Sequence, residues 1–184
     1  MTPLQRENRL TRWRRTLLVI AILAIAMAAL ATWYMAYYSM DVAHTSEVEG
    51  SPSGPRVLIA TQGSAFKDAV TTGLVERLKK RSAHIKVIDI AALSGVRESD
   101  WDAMVVIHTW EFRKPPTEVR VFVDHLQDRN KLVALATSGA GTFRMEGIDA
   151  ISSASTMVDA PIKVNDLANR VDAVLNRAAE GRAQ

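Results

Sequence analysis

The chain reads as a doubly wound α/β domain carried behind one membrane-spanning helix, and three observations predict it. An uncharged apolar run over residues 17–36, interrupted only by Thr32, stands near the N-terminus. Short apolar runs recur behind it at residues 57–60, 103–107 and 132–136, apolar on odd and even positions alike. Between them lie segments whose apolar residues recur at helical spacing. Strands alternating with helices through short loops imply parallel βαβ units and a sheet covered on both faces.

The first sixteen residues form a basic tail, with Arg6, Arg9, Arg12, Arg14 and Arg15 against Glu7 alone. The span is assigned to residues 17–38, since about twenty apolar residues at 1.5 Å rise cross a hydrocarbon core of about 30 Å. Trp13 before it, and Trp33, Tyr34, Tyr37 and Tyr38 at its far end, form the aromatic belt of an interfacial anchor. Asp41, Glu47 and Glu49 follow before the first cation, Arg56. The positive-inside rule then keeps the N-terminus in the cytoplasm and exports the C-terminal domain, as a single-pass protein of the cell membrane. A cleavable signal peptide is the alternative, because Ala26-Met27-Ala28 and Ala29-Leu30-Ala31 have the small-residue pattern of cleavage sites. The apolar character running on through Trp33 and Tyr34 to Tyr38 favours an uncleaved anchor.

Charge is distributed to match. The tail carries a net +4 while the whole chain carries +3, so the remainder is about −1. The basicity therefore serves topology and attraction to anionic headgroups. It excludes a nucleic-acid-binding face, which needs its cations on the folded domain. The absence of cysteine excludes disulfides, thiolate metal sites and thiol nucleophiles. His44, His84, His108 and His125 are scattered without metal-ligand spacing, so no metal is expected.

Residues 39–55 are polar and end in Gly50-Ser51-Pro52-Ser53-Gly54-Pro55, which reads as a flexible linker. The domain is assigned to residues 56–180. Its first strand, residues 57–60, ends at Thr61-Gln62-Gly63-Ser64 and leads into a helix with Phe66, Val70, Leu74, Val75 and Leu78 on one face. Lys79-Lys80-Arg81 close that helix at the negative end of its dipole. Residues 85–90 form a strand nearer the sheet edge. The acidic group Glu98, Asp100 and Asp102 brackets Trp101 in a solvated turn that Trp101 ties to the core. The buried strand 103–107 runs into His108-Thr109-Trp110-Glu111, and Pro115-Pro116 open a helix with Val119, Phe122, Val123 and Leu126 inward. The strand 132–136 ends at Thr137-Ser138-Gly139-Ala140-Gly141. About eleven residues then precede a fifth strand around 148–151, too few for a full helix. The last helix carries Val164, Leu167, Ala168, Val171, Val174 and Leu175 on one face. Five strands fit the smaller doubly wound arrangement, order 2-1-3-4-5, whose ligand crevice lies at the carboxyl ends of strands one and three.

Three loops converge on that crevice, and each has two readings. Thr61-Gln62-Gly63-Ser64-Ala65-Phe66 can hold a phosphate on backbone N–H groups at a helix N-terminus, or be a plain turn with Ser64 as N-cap. The loop lacks the glycine and lysine pattern of a nucleotide P-loop. Residues 109–116 bring Trp110 and Phe112, on which a planar ligand can stack, and Arg113 to meet its negative edge. They serve equally as an aromatic lid or a docking surface. Ser138-Gly139-Ala140-Gly141 offers flexible amides, or a turn that needs glycine. His108, at the end of a central strand, reads as a hydrogen-bonded structural histidine rather than a catalytic one.

Together the three loops resemble those of the flavodoxin family. The first is similar to the family's phosphate loop. Residues 109–123 are similar to its second loop and following helix, where an aromatic turn leads through proline into Val119, Phe122 and Val123. Ser138 to Gly141 resemble the third, flavin-edge loop. The resemblance covers residues 56–177. It implies FMN with its phosphate on Thr61, Gln62, Gly63, Ser64, Ala65 and Phe66, and ring contacts from Thr109, Trp110, Ser138, Gly139, Ala140 and Gly141. In such proteins the flavin carries the redox chemistry and the protein tunes it.

Two functions from different classes follow. One is a membrane-anchored electron carrier or FMN-dependent oxidoreductase with a protein partner at the membrane. The other is a flavin-free flavodoxin-like interaction domain of a membrane complex, docking through the same loops. A quinone or azo reductase is a third reading, with no separate nicotinamide site to support it.

Overall fold

The computed structural model describes residues 3–38, 41–111 and 113–182, with side chains described for 13–33, 41–111 and 113–182. The side chains of Arg6, Arg9, Arg12, Tyr34, Tyr37 and Tyr38, and residue Phe112, lie outside that description. The chain divides into two compact units at residue 39.

The first unit is one helix, α1 (Pro3–Tyr38), which takes in the basic tail as well as the apolar run. Its apolar stretch Trp13–Trp33 has 21 residues and a mean hydropathy of 2.4. At 1.5 Å per residue it is about 31 Å long, enough to cross a hydrocarbon core. The hydroxyl of Thr32 donates to the carbonyls of Ala28 and Ala29 at 2.9 Å. The Thr32 hydroxyl is thus satisfied within its own helix.

The second unit is built on a sheet of six strands. In chain order its elements are β1 (Ser46–Val48), β2 (Arg56–Thr61), α2 (Ala65–Lys79), β3 (His84–Asp89), β4 (Ala103–Thr109), α3 (Thr117–His125), β5 (Leu132–Thr137), β6 (Asp149–Ser153) and α4 (Ala160–Arg182). The spatial order is β1-β3-β2-β4-β5-β6. The five strands β2 to β6 are mutually parallel in the 2-1-3-4-5 arrangement, with β2 as strand one. The sixth, β1, pairs antiparallel with the outer edge of β3.

Alternation explains the two-sided core. Val57 and Ile59 of β2 face α2 and α4, packing with Val70, Leu74, Leu78, Leu167, Val171 and Leu175. Leu58 and Ala60 face the other way, toward Phe122, Val123, Leu93 and Trp101. Both parities are buried, so the strand reads as one continuous apolar run. The covering layers are unequal. Full helices lie on one face, whereas the other has α3 and 3-10 turns at Ile90–Gly95 and Glu98–Asp100. The 11-residue connection 138–148 between β5 and β6 forms no helix.

Residues 41–55 differ from a free linker. Beyond the pairing of β1, Ala43 N–H donates to Asp89 Oδ2 at 2.8 Å, and His84 Nε2 lies 3.0 Å from Glu47 Oε1. Ser51 N–H donates to the Ser82 carbonyl at 2.9 Å. A Cβ on Gly50 would stand 2.3 Å from Ser82 O, and one on Gly54 2.2 Å from the same oxygen. The glycines that suggested flexibility are there for close backbone packing.

The acidic turn is structural. Glu98 accepts from the backbone N–H groups of Gln127 and Asp128 at 2.8 and 2.9 Å, and Asp102 from that of Arg56 at 2.8 Å. Trp101 is buried beneath the guanidinium of Arg56, 5.3 Å from its ring centroid.

Candidate functional site

The carboxyl ends of β2, β4, β5 and β6 surround a cleft of about 400 Å³. Its walls are Ser64, Ala65, Phe66 and Lys67 at the start of α2, Thr109 after β4, Ser138 and Gly139 after β5, and Ala154, Ser155 and Met157 after β6. The volume lies within the range of small-molecule pockets.

Local chemistry positions the first wall. Ser64 is extended (φ −174°) and caps α2, its side chain accepting from Lys67 N–H at 3.3 Å and its carbonyl from Asp68 N–H at 2.8 Å. The amides of Ala65 and Phe66, in the first turn, have no intrahelical acceptor, as at any helix start. Their dipoles sum to a partial positive charge facing the cleft rim.

Lys67 adds a full cation to that partial one. Its side chain is 1% exposed. Burial pushes its ammonium down to about 8, against Asp68 and Glu111, whose charges favour the protonated form. On β4, His108 is wholly buried, with Nδ1 3.3 Å from its neighbour's carbonyl at Thr109 and no hydrogen-bond partner for Nε2 among the described residues. Burial carries the His108 imidazole down to about 4, the Thr109 carbonyl opposing and the Lys67 charge assisting. At neutral pH the histidine is therefore uncharged beside a charged lysine.

The residues read from sequence divide into two groups. Ser64, Ala65, Phe66, Thr109, Ser138 and Gly139 come together in the cleft wall. Thr61, Gln62, Gly63, Trp110, Ala140 and Gly141 do not line it. Thr61 Oγ1 donates to the Gln62 carbonyl at 3.0 Å. Gln62 ties two loops together, its Oε1 accepting from Thr109 N–H at 2.7 Å and its Nε2 donating to Glu111 at 3.4 Å. Gly63 N–H is engaged by the Asp41 carbonyl at 2.6 Å. Trp110 stacks on Phe143, centroids 5.1 Å apart, with its Nε1 buried and without a partner among the described residues. Gly141 takes a positive φ of 65° and packs against residue 154, where a Cβ would meet Ala154 N at 2.7 Å.

Two parts of the wall were not anticipated. Lys67 reads as an ordinary surface lysine, yet it shares the stripe of Thr71, Leu74 and Leu78 at helical spacing, all buried. That stripe was the available signal. The segment 154–157 carries small polar residues after a strand, the same composition as the other two loops, and closes the cleft through Ser155 in a left-handed conformation (φ 61°).

No family model matches the chain, and no curated protein matches it. Solved structures do. The Flv1 flavodiiron core from Synechocystis superposes with a TM-score of 0.50 at 10% identity, over 70% of this chain and 38% of that one. A flavodoxin from the domain Archaea gives 0.44 at 12% identity, over 65% and 98%. The oxidoreductase FerB from Paracoccus denitrificans gives 0.43 at 14%, over 68% and 98%. The chain thus spans about two fifths of the flavodiiron core's length. At such identities the likeness concerns the fold alone, and the fold of the second unit is flavodoxin-like.

Proposed function

We propose that this chain is a single-pass membrane protein whose flavodoxin-like domain binds FMN and passes electrons to or from a protein partner at the membrane. The observation that carries the reading is the cleft, where the first turn of α2 and Lys67 meet the polar loops after β5 and β6. A phosphomonoester fits that chemistry. The first-turn amides of Ala65 and Phe66 suit its oxygens, and the buried ammonium suits its charge. Thr109, Ser138 and Gly139 supply hydroxyl and backbone groups for the edge of a polar ring. FMN, when bound, supplies the redox chemistry, and this chain supplies binding, orientation and the field around the ring. The positive-inside pattern favours a cytoplasmic N-terminus. The anchor raises the domain's concentration near membrane-bound partners without any new contact.

Titrating FMN with the full-length chain in detergent tests this. Saturable quenching of flavin fluorescence is expected. Fluorescence indifferent to the protein rejects the reading.

A second reading rests on a separate observation. Gly63 N–H already has the Asp41 carbonyl, and one face of Trp110 already has Phe143. Loops so self-satisfied suit a flavin-free domain that docks a protein at this rim. Failure of FMN to bind would favour it.

A further inference from the structure

We infer that the carboxyl edge of the sheet is a lipid-docking surface. Val42 at one end of that edge, and Met157, Val158 and Ile162 at the other, sink into the interface of the bilayer. The inference rests on the membrane-spanning reading of α1 and is independent of what the cleft binds.

Two separate observations meet at this edge. The first is where apolar surface is left uncovered. Among the described residues, the second unit exposes five large apolar side chains, Val42, Val121, Met157, Val158 and Ile162. Four of the five stand at the carboxyl edge, and only Val121, on α3, stands elsewhere. Val42 borders a groove shared by Gln62 after β2 and Glu111 after β4. Met157 lines the cleft, Val158 follows it in a 3-10 turn, and Ile162 is in the first turn of α4. Val158 is 86% exposed and Val42 77%. Single apolar residues scattered over a surface need no explanation, but their collection at one edge does.

The second observation is where the chain enters the domain. The Asp41 carbonyl accepts from Gly63 N–H at 2.6 Å, beyond the carboxyl end of β2. The strap thus joins the second unit at the edge that carries the apolar residues, with Val42 next in sequence. Sequence also limits how far that edge can stand from a bilayer. Tyr37 and Tyr38 close the aromatic belt, and Asp41 follows three residues on, at most about 11 Å of chain. The amino edge, where α2 ends, is about 22 Å farther along that fifteen-residue helix. With so short a tether, the membrane is the apolar phase within reach of these side chains.

Charge does not account for the contact. Arg113, Lys114 and Arg144, in the loops after β4 and β5, are offset there by Glu111 and Glu146. Asp41 and Asp159 adjoin the apolar residues themselves. Docking is therefore by insertion, to about 5–10 Å at the boundary of headgroups and acyl chains. Salt, which screens attraction to headgroups, leaves it unchanged.

The native chain has no cysteine, so a single introduced one carries a fluorescent probe without ambiguity. Val158→Cys and Val42→Cys place it at the proposed contact, and Lys80→Cys at the amino edge, all at exposed positions. The full-length chains are reconstituted in vesicles of phosphatidylcholine and phosphatidylglycerol. Quenching is read with nitroxide-labelled lipid and with aqueous iodide. Probes at 158 and 42 should be quenched severalfold more by the lipid, and severalfold less by iodide, than the probe at 80. High salt should change neither ratio. Residue 158 decides, because residue 42 adjoins the tether. Equal quenching at 158 and 80 overturns the inference and leaves the apolar edge to a protein partner. Lipid quenching lost in high salt overturns it too, since charge would then hold the edge. Flotation of the vesicles after an alkaline wash reads the span separately. A chain that floats with residue 158 open to iodide refutes the docking alone, and one that does not float refutes both.

Discussion

Lys67 is charged at neutral pH in both the folded and the unfolded chain, but the folded state holds it out of water. Its titration falls from 10.5 to about 8 on folding. The unfolded chain therefore binds more protons between those values, and stability rises with pH across the window. The ligand-free protein forgoes about 3 kcal/mol below pH 8 on this account. Lys67→Met should be more stable than the native chain at pH 7 in denaturant melts and should lack the rise between pH 8 and 10.5. A variant equally or less stable, with the slope intact, would contradict this. Sites that hold a buried charge for function show this opposition between stability and activity. His108 acts at the other end of the scale. With its imidazole held near 4 against an ordinary 6.5, its contribution is fully present above pH 6.5 and lost as pH falls toward 4. Urea midpoints measured at pH 6.5 and 4.5 should fall less in His108→Phe than in the native chain. An equal fall in both would assign the acid sensitivity to other groups. At this scale the sequence indicated six of the ten residues that line the cleft. Ser64, Ala65 and Phe66 follow from the rules for helix starts. Lys67 escaped notice because composition cannot tell a buried lysine from a solvated one, and only its place on the Thr71, Leu74 and Leu78 stripe marks it.

Among the elements, the segment 41–55 departs most from its reading. Asp89 holds it, accepting from Ala43 N–H and from Ala91 N–H, each at 2.8 Å. The same carboxylate thus anchors the strap ahead of β1 and caps the 3-10 turn after β3. Asp89→Ala should cost about 1–3 kcal/mol and speed amide exchange at Ala43 and Glu47 while sparing the interior of β2. Unchanged exchange at the strap would show that β1 holds without it. The antiparallel strand matters because it covers the outer edge of β3, which would otherwise offer unpaired backbone groups. Composition could not show this, because Gly50 and Gly54 look alike in a flexible linker and in a tightly packed turn. The five parallel strands were readable for the opposite reason. Residues 57–60, 103–107 and 132–136 are apolar at every position, which only a doubly covered sheet requires. The connection after β5 was readable by length, since eleven residues cannot make a helix and two turns.

For the molecule as a whole, the helix Trp13–Trp33 is long and apolar enough to span a membrane. The account expects the full chain to stay with membranes through alkaline washing and to leave them only in detergent. Release by the wash would mark the helix as a removed or peripheral segment. The flavodoxin-like domain beyond it presents a cleft with a buried cation, an open helix start and small polar loops at the carboxyl edge of its sheet. The central claim is that this cleft holds a flavin by its phosphate. The most direct measurement equilibrates the full-length chain in detergent with equal FMN and riboflavin, removes free flavin, and identifies what remains bound after acid release. FMN retained at about one per chain, with little riboflavin, is the predicted result. A chain that retains neither, or both alike, would contradict it.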